Sequence, residues 1–238
     1  MRAFVFGLMA SWLLVQSPGA AQTRTDDFVA SNVLAIAYHE FGHALIDILQ
    51  LPVFGQEEDA ADVLSVLLID SLYDEETASA IIYDAAFGFL NESETYEPAL
   101  WDVHGPDLQR YYTMICLFYG ANPDAREDMT LELDLPEERI ETCEEEFELA
   151  NDSWGPVLED ISADGQGNSL VFVEGDGGFI DDLMADEVAE LNMDFELPET
   201  LTVKIEACDE VNAFYDPNTR DVIICTELDA FLREIADF

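Results

Sequence analysis

Residues 39–43 read His39-Glu40-Phe41-Gly42-His43, and this stretch decides how the rest of the chain is interpreted. Two histidines four positions apart share one face of an α-helix, about one turn from each other. That spacing lets both imidazole rings reach one zinc ion, so His39 and His43 are the first predicted metal ligands. Glu40 projects beside them, where its carboxylate can take a proton from a water molecule that the metal activates.

The alternative is a helix that carries two exposed histidines and no metal. The chain has only three histidines, and two of them lie in this motif. The use of two rare residues at the spacing of a ligand pair therefore favours a site for one zinc ion per chain.

The residues around the motif predict a mostly helical protein. Ser31 is a candidate N-cap for a helix over residues 31–49, and Pro52 and Gly55 follow its end. An acidic first turn suits the start of a second helix at residues 57–72, because the helix N-terminus is positive. Further helices are predicted over residues 75–89, 107–119, 136–151, 181–191 and 228–235.

The chain changes character after residue 160. A turn-rich segment leads to a strand-like run at residues 170–173, and two more runs at 201–205 and 221–225 flank an Asp-Pro-Asn turn, as in a hairpin. We therefore expect an α+β fold in one domain. Its helical zinc-binding core covers residues 22–160, and the strand-containing segment at residues 161–238 packs on that core.

The first residues have the features of a secretory signal peptide. Met1 and Arg2 are followed by an apolar run at residues 3–15 and by small residues that suit cleavage after Ala21. An uncleaved membrane anchor is the alternative, but the run is shorter than the roughly 20 residues that cross a bilayer. We expect residues 1–21 to be removed and the mature protein to be exported, to the periplasm or outside the cell, with no membrane association.

Four cysteines in an exported chain favour disulfides over free thiols. Three pairings are possible, and we expect Cys116–Cys143 and Cys208–Cys225, because each pair brackets one compact segment. A four-cysteine zinc site is the alternative, but no Cys-x-x-Cys spacing supports it.

The chain is strongly acidic. It has 53 Asp and Glu against 8 Lys and Arg, for a formal net charge of −45. This charge repels nucleic acid and anionic membranes and so excludes them as partners. A solvated acidic surface suited to salty surroundings is the simplest explanation, because salt screens the self-repulsion. Calcium binding is the alternative, although the sequence has no Asp-x-Asp-x-Asp-Gly loop.

Residues 58–62 read Glu-Asp-Ala-Ala-Asp at the start of the second predicted helix. With the histidine motif, this Glu-x-x-x-Asp pattern resembles the gluzincins, the thermolysin-like and neprilysin-like zinc peptidases. The resemblance implies that Glu58 is the third zinc ligand and that Asp62 orients His39 through a hydrogen bond. Glu57 is the alternative ligand, but only Glu58 has an aspartate four positions later. The loop between the two helices is shorter than in thermolysin.

Residues 102–110 read Asp-Val-His-Gly-Pro-Asp-Leu-Gln-Arg. This segment resembles the Asp-Val-His-x-Pro-x-x-x-Arg segment of neprilysin-like peptidases. The resemblance implies that His104 stabilises the oxyanion of the tetrahedral intermediate and that Arg110 holds a substrate carbonyl. Asp102 could keep His104 protonated and oriented. The alternative is a packed or exposed histidine near an arginine in a structural ion pair.

The chain also resembles a bacterial family of exported proteins of unknown function that are classed as metallopeptidases. The resembling stretches are residues 39–47, 55–62, 104–120 and 212–217, with Cys225. In those relatives the Asn-Ala-Phe-Tyr-Asp-Pro hairpin precedes the zinc helix, whereas here it follows, as in a circular permutation. Because a zincin-like fold needs a sheet beside its active-site helix, we expect residues 201–225 to pack against the helix at 31–49.

Together these features predict a zinc-dependent peptidase that acts on peptides or proteins, with Glu40 as general base. One alternative is a zinc hydrolase of a non-peptide amide, since only the shape of the cleft separates the two. Another is an exported zinc-binding or interaction protein without turnover.

Overall fold

The computed structural model describes residues 18–175 and 177–236, with side chains from residue 23 onward. Its helices are α1 (Pro18–Ile48), α2 (Glu57–Leu72), α3 (Glu75–Thr95), α4 (Asp107–Ala121), α5 (Pro123–Glu132), α6 (Glu137–Asp160), α7 (Phe179–Asp194) and α8 (Glu227–Ile235). Its strands are β1 (Leu170–Val173), β2 (Leu201–Glu206), β3 (Ala213–Asp216) and β4 (Asp221–Cys225). The predicted α+β class is confirmed.

Helix α1 lies at the centre of the molecule and begins well before the predicted start at residue 31. Ser31 does not cap it, because its hydroxyl donates instead to the buried carboxylate of Asp84 at 3.0 Å. The turn before residue 31 contains Phe28 and Val29, which are fully buried. Burial of this turn extends the helix. Residues 1–17, which hold most of the predicted signal peptide, lie outside the described residues.

The sheet has the strand order β1-β2-β4-β3. β1 pairs with β2 and β2 with β4 in parallel, whereas β3 pairs with β4 in the antiparallel sense. The predicted hairpin between residues 201–205 and 221–225 is therefore wrong: these strands are parallel neighbours, and the hairpin joins β3 to β4. β3 was missed because its sequence, Ala-Phe-Tyr-Asp, does not alternate apolar and polar residues, and in the structure all four residues are half-buried.

The hairpin of β3 and β4 packs against α1, as expected for this part of residues 201–225, whereas β2 packs against α7. The hydroxyl of Tyr215 on β3 donates to Asp47 on α1 at 2.8 Å. On the other side of α1, Tyr38 and Tyr73 both donate to the Glu187 carboxylate of α7, at 2.5 and 2.9 Å. These bonds fix the sheet and α7 to the helix that carries the histidine motif.

Both predicted disulfides are confirmed. Cys116–Cys143 joins α4 to α6, and Cys208–Cys225 joins the segment after β2 to the end of β4. Within the part of the chain that the structure describes, no helix is long and apolar enough to cross a membrane.

Candidate metal and active site

Three side chains from α1 and α2 converge on one point. His39 Nε2 lies 3.2 Å from Glu58 Oε2, His43 Nε2 lies 3.2 Å from the same oxygen, and the two ring nitrogens are 3.1 Å apart. Gly42 makes this convergence possible, because a Cβ there would lie only 2.9 Å from the Cα of Ala61 on α2. The close approach of the two helices brings Glu58 over the histidine pair.

The triangle fits a tetrahedral zinc ion. Zinc binds imidazole nitrogen and carboxylate oxygen at about 2.0–2.2 Å, so two of its ligand atoms lie about 3.3–3.5 Å apart in a tetrahedron. The atoms of His39, His43 and Glu58 are within a few tenths of an ångström of that separation. The donor set of two imidazoles and one carboxylate is also one that zinc prefers.

A half-buried carboxylate holds the first histidine from behind. Asp62 Oδ1 accepts a hydrogen bond from His39 Nδ1 at 2.7 Å, which leaves Nε2 facing the triangle. Arg110 donates to both oxygens of Asp62 at 2.8 Å, and its guanidinium lies 4.3 Å over the ring of Phe89. Burial alone would raise the pKa of Asp62, but the hydrogen bonds from Arg110 and His39 outweigh it and lower the pKa.

The second histidine has a comparable partner that the sequence did not reveal. His43 Nδ1 donates to Glu57 Oε1 at 2.8 Å, so Glu57 lies behind the ring and not at the triangle. The two neighbouring glutamates therefore face different nitrogens of His43. The only sequence signal was that Glu57 precedes Glu58 in the first turn of α2, where either carboxylate can reach α1.

Glu40 lies next to the triangle and is only 7% exposed. Burial raises the pKa of its carboxyl group, and the nearby His39 and His43 reduce that rise. The backbone N–H of Tyr215 on β3 also reduces the rise in this pKa. A carboxylate with a raised pKa, fixed beside a metal site, is suited to accept and release a proton.

His104 approaches the triangle from the segment before α4. Its Nε2 lies 2.9 Å from Glu58 Oε2, and its ring stacks on that of His39 at 6.2 Å. Asp102 accepts a hydrogen bond from the backbone N–H of His104 at 3.1 Å and lies 3.3 Å from its Nδ1. The hydrogen bond with Glu58 is the main cause that raises the pKa of His104.

The contact of His104 with Glu58 leaves two arrangements open. His39, Glu58 and His104 also form a group whose ligand atoms all lie within 4.8 Å of one another. The ring of His104 is therefore near enough either to join the ligands or to face a group bound at the metal. The helical pair His39 and His43 forms the tighter triangle.

The site opens on a groove of about 980 Å³. Its floor includes His39, Glu40 and His43. One wall is the segment from Trp101 to His104 and the other is the segment from Asn212 to Tyr215, which includes the edge strand β3. A groove between a loop and a sheet edge can accommodate an extended chain, since an edge strand presents unpaired backbone groups.

One family model matches most of the chain, at residues 12–158 and 177–236, and its description reads "Putative metallopeptidase" (DUF4344). The matched residues include the whole histidine motif, both glutamates at the start of α2, and the His104 segment. No curated protein and no solved structure matches the chain.

Proposed function

The chain belongs to the DUF4344 family, described as "Putative metallopeptidase", and from this membership and the geometry of the site we propose that it is a zinc-dependent peptidase. The observation that carries the proposal is the triangle of His39, His43 and Glu58 with Glu40 beside it. A triangle of ligand atoms at tetrahedral spacing next to a buried glutamate is the arrangement that metal-assisted hydrolysis requires.

In this proposal His39, His43 and Glu58 hold one zinc ion per chain. Asp62 and Glu57 keep the two rings oriented by accepting from their Nδ1 atoms. When bound, zinc supplies Lewis acidity, which polarises a substrate carbonyl and makes a water molecule easier to deprotonate.

Glu40 acts as the general base. It takes a proton from the attacking water and passes that proton to the leaving amine, so the pKa of its carboxyl group must allow the group both to gain and to release a proton. Its burial and the raised pKa of its carboxyl group suit this double role. The backbone N–H of Tyr215 favours the charged form of this carboxylate between the two transfers.

His104 is proposed to donate a hydrogen bond to the negative oxygen that forms as the carbonyl is attacked. Asp102 and Glu58 favour its protonated form. Arg110 was expected to hold a substrate carbonyl, but its guanidinium is committed to both oxygens of Asp62. We therefore propose that Arg110 acts mainly through Asp62, as a residue that positions His39.

Export to the periplasm or the outside of the cell is part of the proposal. Two disulfides are typical of proteins that fold in an oxidising compartment. The family description supports a peptide or protein as substrate, and the net charge of −45 argues against nucleic acid.

The test is hydrolysis of a peptide library by zinc-loaded protein, with Glu40→Gln as the paired variant. Loss of a general base should lower kcat/KM by about 10²–10⁴-fold. Glu40→Gln should still bind one zinc ion, because Glu40 is not a proposed ligand. Equal hydrolysis by both proteins would assign the activity to a contaminant. No peptide hydrolysis by the zinc-loaded wild type would leave the non-peptide amide or the non-catalytic alternative.

A further inference from the structure

A cavity of about 270 Å³ lies next to His39 and Glu40, between α1, α3, α4 and α8. Most of its lining is apolar, including Ile36, Phe89, Met114, Phe231 and Ile235. It shares five residues with the larger groove: His39, Glu40, His104, Asn212 and Ala213. A substrate lying in the groove could therefore place one side chain in this cavity.

One carboxylate in the cavity has no assigned role. Glu92 is half-buried on α3, one turn after Phe89, and lines the cavity together with Arg110. Among the described residues its carboxylate makes no hydrogen bond. Burial raises the pKa of Glu92, the negative charge of Asp107 raises it further, and the positive charges of Arg110 and His104 reduce the rise.

Arg110 does not satisfy this carboxylate directly, because its hydrogen bonds go to Asp62. Removing water from a carboxylate without providing a hydrogen bond in its place costs free energy, and a bound cation can offset this cost. The apolar walls suit a chain of methylene groups, and Glu92 suits a positive end. Lysine and arginine side chains combine these two features.

We propose that the cavity is a specificity subsite and that Glu92 selects a substrate with a lysine or arginine side chain beside the cleaved bond. The inference rests on the proposed peptidase function. The apolar wall contributed by α8 packs against the stem of the side chain, and Glu92 pairs with its charged end. The strongly acidic surface of the protein favours the approach of such basic substrates.

The experiment compares two N-terminally acetylated peptides that differ only in the residue beside the cleaved bond. This residue is lysine in one peptide and norleucine in the other. Wild type should cleave the lysine peptide with at least a ten-fold higher kcat/KM. Glu92→Gln should reduce this ratio at least ten-fold, by loss of activity on the lysine peptide alone. Glu94 is an exposed carboxylate on the same helix, so Glu94→Gln should leave the ratio unchanged. A wild-type preference for norleucine, or an unchanged ratio in Glu92→Gln, would overturn the proposal.

The same peptides with a free N-terminus show whether the subsite recognises a basic side chain or a terminal amine. A preference that appears only with the free amine, whichever side chain is present, would overturn the assignment to lysine and arginine.

A binding measurement distinguishes failure of the subsite from failure of the proposed peptidase function. If wild type cleaves neither peptide, calorimetric titration of Glu40→Gln with the lysine and norleucine peptides still tests the subsite. Tighter binding of the lysine peptide, lost in Glu40→Gln/Glu92→Gln, would support the subsite while the peptidase proposal fails. Equal binding of both peptides would overturn the subsite.

Discussion

Asp62 accepts hydrogen bonds from both His39 and Arg110, so one carboxylate orients a proposed ligand and ties α4 to α2. Glu57 serves His43 in the same way, but it is half-exposed, and no arginine in the described part of the chain pairs with it. The two partners of the histidines therefore differ in how firmly they are held. Removal of the Asp62 carboxylate should affect the metal more than removal of the Glu57 carboxylate.

Asp62→Asn should weaken zinc binding by about 10–100-fold, the usual effect of losing a carboxylate that orients a metal-binding histidine. The amide keeps the size of the side chain but accepts less strongly from Nδ1. Competition with a chromogenic chelator measures the affinity. Asp59→Asn, an exposed aspartate on the same helix, is the matched control and should bind zinc as wild type does. Equal affinities for both variants would contradict the role of Asp62.

The contact between Asp62 and His39 was implied by the resemblance to the gluzincins, and the Glu-x-x-x-Asp pattern that carries this resemblance is a local property of one helix. Sequence reasoning did not reach the contact of Glu57 with His43, since either glutamate of the first turn can face α1. It also did not anticipate that His104 touches Glu58. That contact depends on the path of the irregular segment before α4, for which residue spacing carries no information. The roles of these residues at a metal stay predictions.

At the scale of elements, the site depends on the close contact of α1 and α2 at Gly42. Any side chain there meets the backbone of Ala61, and backbone cannot move aside as a flexible side chain can. A shift of α2 would carry Glu58 away from the histidines. Glycine within the His-Glu-Phe-Gly-His stretch is thus a packing requirement of the proposed metal site.

Gly42→Ala should lower the free energy of unfolding by about 1–3 kcal/mol, as overpacked contacts do. It should also weaken zinc binding, because α2 carries Glu58. Urea unfolding and chelator competition measure the two effects.

Gly120→Ala is the matched control for Gly42→Ala. Its Cβ would lie 2.2 Å from the carbonyl oxygen of Cys143, at the contact of α4 with α6. This variant should lose stability and yet retain zinc affinity under conditions where it is folded. If Gly42→Ala lost stability without any loss of affinity, the contact would not position Glu58.

Elements with a clear boundary signal were predicted well, and α2 has the predicted bounds of residues 57–72. α5 was missed because it buries few apolar side chains, and Arg126 holds it through ion pairs with Asp70 and Glu75. α6 continues past its predicted end and through Pro156. Such tertiary support is invisible to local propensity, which explains these differences.

At the scale of the whole molecule, acidic side chains greatly outnumber the basic side chains that could pair with them. Every lysine and arginine from residue 23 to residue 236 is already paired with a carboxylate. Most of the 53 acidic residues therefore repel one another across the surface. This self-repulsion destabilises the folded state and is screened by salt.

The thermal unfolding midpoint should rise when sodium chloride increases from 0.1 M to 1 M, since the screening length falls from about 10 Å to about 3 Å. Calorimetry at constant pH measures the midpoint. A midpoint that does not change with sodium chloride but rises with millimolar calcium would contradict diffuse screening and favour the calcium alternative.

The central claim is that one zinc ion binds at His39, His43 and Glu58. Elemental analysis of the purified protein tests it most directly, with wild type, Glu58→Ala and Glu57→Ala measured side by side after reloading and dialysis. We predict one zinc per chain in wild type and in Glu57→Ala, and little or none in Glu58→Ala. Wild type without stoichiometric zinc, or Glu58→Ala with a full complement, would contradict the account.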